Sequence, residues 1–112
     1  MIFAQKQIWL INFDPSFGHE YQKMRPGIII ENNKFVNNFD LLTIVPLSSN
    51  IDNIYLLDIF VPKTPLNRLM TDSLIKTKQI NTFDKKRFIK FIGICENEIY
   101  NDLKSNILIY IK

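Results

Sequence analysis

The change of hydrophobic period near residue 95 constrains this fold more than any other feature of the sequence. Before that point, short apolar runs alternate with turns rich in Pro, Gly and Asn, a pattern typical of strands. From Glu96 onward, the apolar residues recur every four positions, at Ile99, Leu103, Ile107 and Ile111. This spacing predicts an amphipathic helix. The order predicts a mostly β fold with α: a small β-barrel with a C-terminal amphipathic helix packed on it.

Six strands are predicted before this helix. They cover residues 8–13, 27–30, 41–47, 54–61, 73–80 and 88–95. Pro26 is expected to open the second strand, because the first residue of a strand can spare its N–H. Pro46 is expected to mark an edge or a bulge in the third strand, and residues 84–87 to form a single helical turn.

Composition narrows the classes of protein that this chain can be. With 112 residues and 46% hydrophobic content, it is long and apolar enough for one folded domain, residues 1–112. One Cys excludes an internal disulfide and a Cys-based zinc site, and one His leaves no imidazole cluster for a metal. The absence of an apolar stretch long enough for a membrane span, or of a signal peptide, predicts a cytoplasmic protein. A net charge of +3 permits an anionic partner without demanding one.

The loop around Gly18-His19-Glu20 and the following Arg25 are the most informative stretch for chemistry. Glu20 could accept a proton, and Arg25 could hold a phosphate through two parallel hydrogen bonds. Arg25 is one of only three Arg in a chain that otherwise uses Lys, which indicates that its fork-shaped guanidinium matters. A solvated polar loop would contain the same residue types, so this alternative stays open.

A second candidate is the end of the third strand, Pro46-Leu47-Ser48-Ser49-Asn50. Its hydroxyls and amide could be aimed at a phosphate. A simple Ser/Asn turn needs the same residues to satisfy its own backbone, and spacing alone favours the turn.

Five blocks, taken in order, resemble the MazF/PemK family of bacterial toxins. They are IWLINFDP at 8–15, GHE at 18–20, RPGIII at 25–30, VPLSSN at 45–50 and the run 72–87. The resemblance implies an SH3-like (CcdB/MazF-type) barrel that forms a homodimer and needs neither metal nor cofactor. It also implies a sequence-specific endoribonuclease that cleaves single-stranded mRNA by attack of the 2′-hydroxyl, leaving a 2′,3′-cyclic phosphate and a 5′-hydroxyl. The implied partners are single-stranded RNA and a cognate antitoxin whose C-terminal tail lies across the dimer, with no membrane involved.

The resemblance also implies roles for individual residues. Arg25 matches the family's catalytic arginine. Ser48 matches a hydroxyl that contacts the phosphate or the leaving 5′-oxygen, and Glu20 matches the acidic residue of the Gly-x-Glu loop, a candidate for general base or substrate contact. Gln79 matches a glutamine that reads RNA bases in relatives. The residues expected to contact RNA are Phe17, His19, Ser49, Asn50, Lys78 and Gln79.

Some positions depart from the family pattern. Lys78 stands where many relatives carry an acid, and Asn81 where Arg or Lys is common, so the cleavage sequence is left open. His19 stands where Ser is frequent. Its unperturbed pKa near 6.5 suits an auxiliary acid or base, although a loop His is more often a hydrogen-bonding bystander.

Two other functions are compatible with the same fold. A CcdB-like toxin poisons DNA gyrase by protein binding, but such toxins end in Trp-Gly-Ile, whereas this chain ends Ile109-Tyr110-Ile111-Lys112. A catalytically silent member would only sequester antitoxin, and the sequence does not exclude it.

Overall fold

The computed structural model describes residues 2–15, 18 and 23–112. In these residues the chain forms seven antiparallel strands and one C-terminal helix. The elements are β1 (Gln7–Asn12), β2 (Met24–Ile29), β3 (Leu41–Ser48), β4 (Asp58–Val61), β5 (Ser73–Lys76), β6 (Asn81–Asp84), β7 (Phe88–Ile94) and α1 (Asn97–Ile111). Two 3₁₀ turns, Thr77–Gln79 and Lys85–Arg87, flank β6. The prediction of a mostly β fold with a C-terminal helix is confirmed.

The strands make one sheet in the order β4-β5-β3-β2-β1-β7, and β6 pairs with β3 on the same edge as β5. The first half of β3 pairs with β6, from Leu41↔Asp84 to Ile44↔Asn81, and its end pairs with β5 through Leu47↔Ile75. Within the described part of the chain no pairing joins β7 to β4, so the small-barrel arrangement stays open along one side.

The sheet is covered on both faces, because successive residues of a strand point in opposite directions. One cluster lies under α1 and contains Ile8, Ile28, Val45, Leu47, Ile75, Tyr100 and Leu103. The other contains Phe3, Trp9, Ile11, Ile29, Ile44 and Phe88. Burial of these side chains supplies the main free energy that holds the strands in register.

Both strand prolines lie inside strands, which corrects the expectation for Pro26. β2 begins at Met24, so Pro26 is its third residue, where β2 pairs only with β1 through Leu10↔Pro26. Pairing of β2 with β3 starts one residue later, at Gly27↔Pro46. At Pro46 the strand β3 continues, and the expected irregularity lies in its neighbour, where the turn Thr77–Gln79 separates β5 from β6.

Two predicted strands are too long, and one strand was not predicted. In the range 54–61 only Asp58–Val61 is a strand, because the Tyr55 N–H donates to the Asp58 carboxylate at 2.9 Å and Leu57 takes a φ of 73° in a turn. In the range 73–80 the strand ends at Lys76, and the missed β6 follows the 3₁₀ turn.

The predictions for the C-terminal third are confirmed with small changes. The helical turn at 84–87 is the 3₁₀ turn Lys85–Arg87, capped by the Asp84 side chain, which accepts from the Lys86 N–H. Helix α1 begins after Glu96. Ile99, Leu103 and Ile107 pack against the sheet, whereas Ile111 extends beyond it and is exposed.

Candidate functional site

An open groove of about 550 Å³ lies where β1, β2 and β7 meet the segment between β4 and β5. Its apolar lining is Leu10, Met24, Pro26, Leu47, Leu69, Met70, Phe91 and Ile92. Its polar lining is Arg25, Ser49, Arg68, Thr71, Ser73 and Lys90. Three of these lining residues are cationic, and among the residues that the structure describes none of the lining is acidic, so the groove suits an anionic ligand.

The register of three strands places two of the cations. Leu10 on β1 pairs with Pro26 on one side and with Lys90 on the other, and the next residue, Ile11, pairs with Arg25. Arg25 and Lys90 therefore flank β1, roughly 10 Å apart at their backbones, two strand spacings. Because successive strand residues face opposite sides of the sheet, Lys90 lies on the face of Leu10 and Arg25 on the face of Ile11. Arg25 is half-buried and Lys90 is exposed.

The third cation lies on a segment that a buried amide holds in place. The Asn67 side chain is fully buried, and its Oδ1 accepts from the N–H groups of Thr64 and Leu69, each at 3.0 Å. Its Nδ2 donates to the Pro62 carbonyl at 2.9 Å and to the Glu96 carboxylate at 3.2 Å. Since Glu96 also accepts from the Thr64 hydroxyl at 2.6 Å, the segment is fixed to the start of α1.

Arg68 follows this amide with a φ of 55°, in the left-handed region that non-glycine residues seldom adopt. Its backbone N–H donates to the Thr64 carbonyl at 2.9 Å, and its side chain is exposed at the groove. Neither the Arg68 nor the Lys90 side chain makes a hydrogen bond or an ion pair with any described residue. Both therefore keep their donors available for a ligand.

The two adjacent serines are placed differently. Ser49 lines the groove together with Leu47, whereas Ser48 is half-buried and is absent from the lining, as the alternation of a strand requires. The Ser48 Oγ accepts from the Asn50 N–H at 3.2 Å, and the Asn50 Oδ1 accepts from the Asp52 N–H at 3.2 Å. The Ser/Asn turn considered as an alternative is thus present in the structure.

Lys78 and Gln79 lie outside the groove. Both belong to the 3₁₀ turn Thr77–Gln79, which contacts α1. The turn is anchored by the Thr77 hydroxyl, which donates to the Leu57 carbonyl at 2.8 Å. Of the predicted site residues that the structure describes, the groove therefore brings together Arg25 and Ser49.

Three predicted site residues, Phe17, His19 and Glu20, lie outside the described residues. Arg68 and Lys90 line the groove but were not predicted from the sequence. The scarcity of Arg that selected Arg25 selects Arg68 equally well, so a usable signal existed for one of the two.

Two observations concern metals and membranes. In residues 2–15, 18 and 23–112, no three His, Cys, Asp or Glu side chains come together in a way that could hold a metal ion. The one long helix of the described structure is too short and too polar to cross a bilayer.

Comparison with known proteins gives the family. Residues 4–111 match the family described as PemK-like, MazF-like toxin of type II toxin-antitoxin system. The chain is 26% identical over 92 residues to Endoribonuclease MazF9 of Mycobacterium tuberculosis, covering 78% of this chain and 77% of that protein.

Solved structures of other proteins have the same fold as this chain. The crystal structure of MazF (Form-I) from Deinococcus radiodurans superposes with a TM-score of 0.85 at 14% identity, covering 99% of this chain and 97% of that one. An endoribonuclease from a Mycobacterial species, solved in complex with its cognate antitoxin, superposes with a TM-score of 0.69 at 15% identity, covering 95% and 89%. Because the family match spans nearly the whole sequence, this chain belongs to the PemK-like, MazF-like toxins of type II toxin-antitoxin systems.

Proposed function

We propose that this toxin is a sequence-specific, metal-independent endoribonuclease that cleaves single-stranded mRNA. The observation that carries the proposal is the groove, which is lined by Arg25 and two further cations and by no acidic residue within 2–15, 18 and 23–112, in a member of a toxin family. The similarity to a protein named an endoribonuclease supports the same conclusion.

The proposed reaction is an internal attack on the RNA backbone. The 2′-oxygen attacks the adjacent phosphorus, the bond from phosphorus to the 5′-oxygen breaks, and the products are a 2′,3′-cyclic phosphate and a 5′-hydroxyl. We assign Glu20 to accept the 2′-hydroxyl proton and Arg25 to stabilise the negative charge that builds on the phosphate. A Ser hydroxyl is a poor acid, so the proton for the leaving oxygen comes from Arg25, His19 or water.

The serines are assigned to the phosphate. Since the Ser48 hydroxyl accepts from the Asn50 N–H, its own hydrogen is available to donate to a phosphate oxygen. Ser49 lines the groove and can make the same kind of contact from there. The remaining proposed RNA contacts are Phe17, His19, Asn50, Lys78 and Gln79, with Gln79 as the candidate for reading bases.

We further propose that the toxin works as a homodimer and is held inactive by a cognate antitoxin. MazE and MazF of Deinococcus radiodurans have been crystallised together, and the Mycobacterial endoribonuclease was solved with its antitoxin. Exposed apolar side chains are available for such contacts: Ile109 and Ile111 at the end of α1 are 64% and 66% exposed.

The experiment incubates the purified protein with long single-stranded RNA, and with single-stranded DNA in parallel, in excess EDTA. We expect cleavage of RNA alone, with 2′,3′-cyclic phosphate ends, because the attack uses the 2′-hydroxyl and the charge is stabilised by Arg25. Intact RNA from a folded protein would contradict the proposal. A gyrase-binding assay would then separate the CcdB-like function from a silent antitoxin-binding toxin.

A further inference from the structure

We propose that Arg68 and Lys90 form a phosphate-binding subsite in the groove, for a phosphate other than the scissile one assigned to Arg25. The backbone of the single-stranded RNA would then follow the groove across the ends of β2, β1 and β7. This inference rests on the proposed endoribonuclease function and specifies how that site holds its substrate.

The charges at the groove favour an anionic ligand. Two cations face the groove with no partner among the described residues, and a third cation, Arg25, lines the same groove of about 550 Å³. Like charges gathered around one cavity repel each other unless an anion lies between them. Arg68 adds a planar fork that suits the two oxygens of a phosphate, and Lys90 adds a point charge.

The backbone at Arg68 is held firmly, which fixes where its side chain emerges. A non-glycine residue stays in the left-handed region only where its surroundings enforce it. Here the buried Asn67 and its bonds to Thr64 and Glu96 enforce it. The neighbouring residues hold the Arg68 backbone in this conformation, and the Arg68 side chain stays exposed at the groove.

The ligand class follows from what lies beside the two cations. Met70 lines the same groove and is 92% exposed, so cationic and apolar surface adjoin. Single-stranded nucleic acid offers both matching parts: phosphates for the cations, and bases whose faces can cover apolar surface.

The test measures binding of a fluorescein-labelled, random-sequence single-stranded RNA with 2′-O-methyl riboses, which lacks the attacking hydroxyl. Phosphate contacts do not depend on sequence, so a random pool is a suitable probe. Anisotropy titrations over a range of NaCl concentrations give the dissociation constant and its salt slope for the wild type, Arg68→Ala, Lys90→Ala and the double variant.

We expect each single variant to weaken binding roughly three- to tenfold at low salt and to lower the magnitude of the salt slope by about 0.7. The double variant should lower it by about 1.4. The matched control is Lys34→Ala, which removes the same charge from an exposed turn outside the groove and should leave the slope unchanged. Because Ala is strained at a φ of 55°, Arg68→Gly serves as a second variant whose backbone accepts that angle.

Three results would overturn the subsite. If the folded variants keep the salt slope of the wild type, and the wild type cleaves RNA, the subsite is overturned and the proposed function stands. Variants that keep RNA affinity but lose binding to poly-L-glutamate would show that the two cations serve an acidic protein partner instead. A wild type that neither binds nor cleaves single-stranded RNA would overturn the proposed function together with the subsite.

Discussion

At the scale of single residues, Arg68 combines an unfavourable backbone angle with an exposed charged side chain. The left-handed conformation costs a non-glycine residue about 1 kcal/mol, and Gly would adopt it without that cost. The exposed Arg68 side chain thus lies at a position where Gly would be less strained.

Replacing Arg68 with Gly is therefore expected to stabilise the protein while weakening RNA binding. The free energy of unfolding should rise by roughly 0.5–1 kcal/mol, because backbone strain is relieved at little other cost. Urea denaturation measures this change. Arg68→Ala is the matched control, since it removes the same side chain and keeps the strain, and a gain of equal size in both variants would contradict the account.

Cys95 is a second residue whose surroundings define its chemistry. The pKa of its thiol is raised from 9.0 to about 12, first by burial and second by the Glu96 charge, while the Lys6 charge acts in the opposite direction. Burial likewise raises the pKa of Tyr100 from 10.0 to about 12. Both groups are neutral in the folded protein at neutral pH, so Cys95 acts as an apolar core residue.

The raised pKa values predict a loss of stability at alkaline pH. The unfolded thiol loses its proton near 9 while the folded thiol keeps it to about 12, so the free energy of unfolding falls as pH rises through this window. Urea unfolding at about pH 7 and about pH 10 should show this fall. Cys95→Val, which cannot titrate, should lose less between the two pH values, and an equal loss would show that Cys95 is not responsible.

The residue scale also shows how far the sequence predicts the site. Arg25 was identified both by the rarity of Arg and by the family resemblance, and the structure places it in the groove. Lys90 was not identifiable, because one Lys in a Lys-rich chain carries no signal until the pairing Leu10↔Lys90 is known. The distinction between Ser48 and Ser49 likewise depends on which face of β3 meets the groove.

At the scale of elements, β5 and β6 behave as one strand that pairs with β3. The 3₁₀ turn Thr77–Gln79 interrupts this strand at the position opposite Pro46. Pairing with β3 ends at Ile44↔Asn81 and resumes at Leu47↔Ile75. Pro46 has no N–H to offer a partner strand at that point. The alternation in residues 73–80 predicts a continuous strand, and the break was not predictable because its cause lies on the facing strand.

The segment between β4 and β5 is held in position because its backbone lies directly against β7. A Cβ on Gly93 would lie 2.3 Å from the Asn67 carbonyl oxygen and 2.8 Å from that of Leu66. The Ile94 N–H donates to the Leu66 carbonyl at 3.1 Å. Gly93 therefore allows the backbone contact that sets the position of Arg68.

Gly93→Ala is expected to destabilise the protein by roughly 2–3 kcal/mol, because the added methyl group meets backbone that cannot move aside locally. RNA affinity should fall as well, although Gly93 does not line the groove. The control is Gly27→Ala, whose Cβ would meet the flexible end of the Ile11 side chain at 2.6 Å and should cost about 1 kcal/mol. Equal losses in urea denaturation would contradict the proposed role of Gly93.

At the scale of the whole molecule, the order of the parts was predictable and the ligand surface was not. The switch of period at Glu96 predicts strands followed by a helix, and the structure confirms both. The groove, by contrast, combines β1, β2, β7 and a long connection, which lie far apart in the sequence. A net charge of +3 gave no indication that three cations share one groove.

The central claim is that this groove is where RNA is cleaved, and Arg25 tests it most directly. The measurement is the initial rate of RNA cleavage in EDTA by the wild type and by Arg25→Ala, with Lys34→Ala as the charge-matched control. Loss of a preorganised charge at the phosphate predicts a rate at least about 100-fold lower for Arg25→Ala and an unchanged rate for the control. An Arg25→Ala protein that cleaves RNA as fast as the wild type would contradict the account.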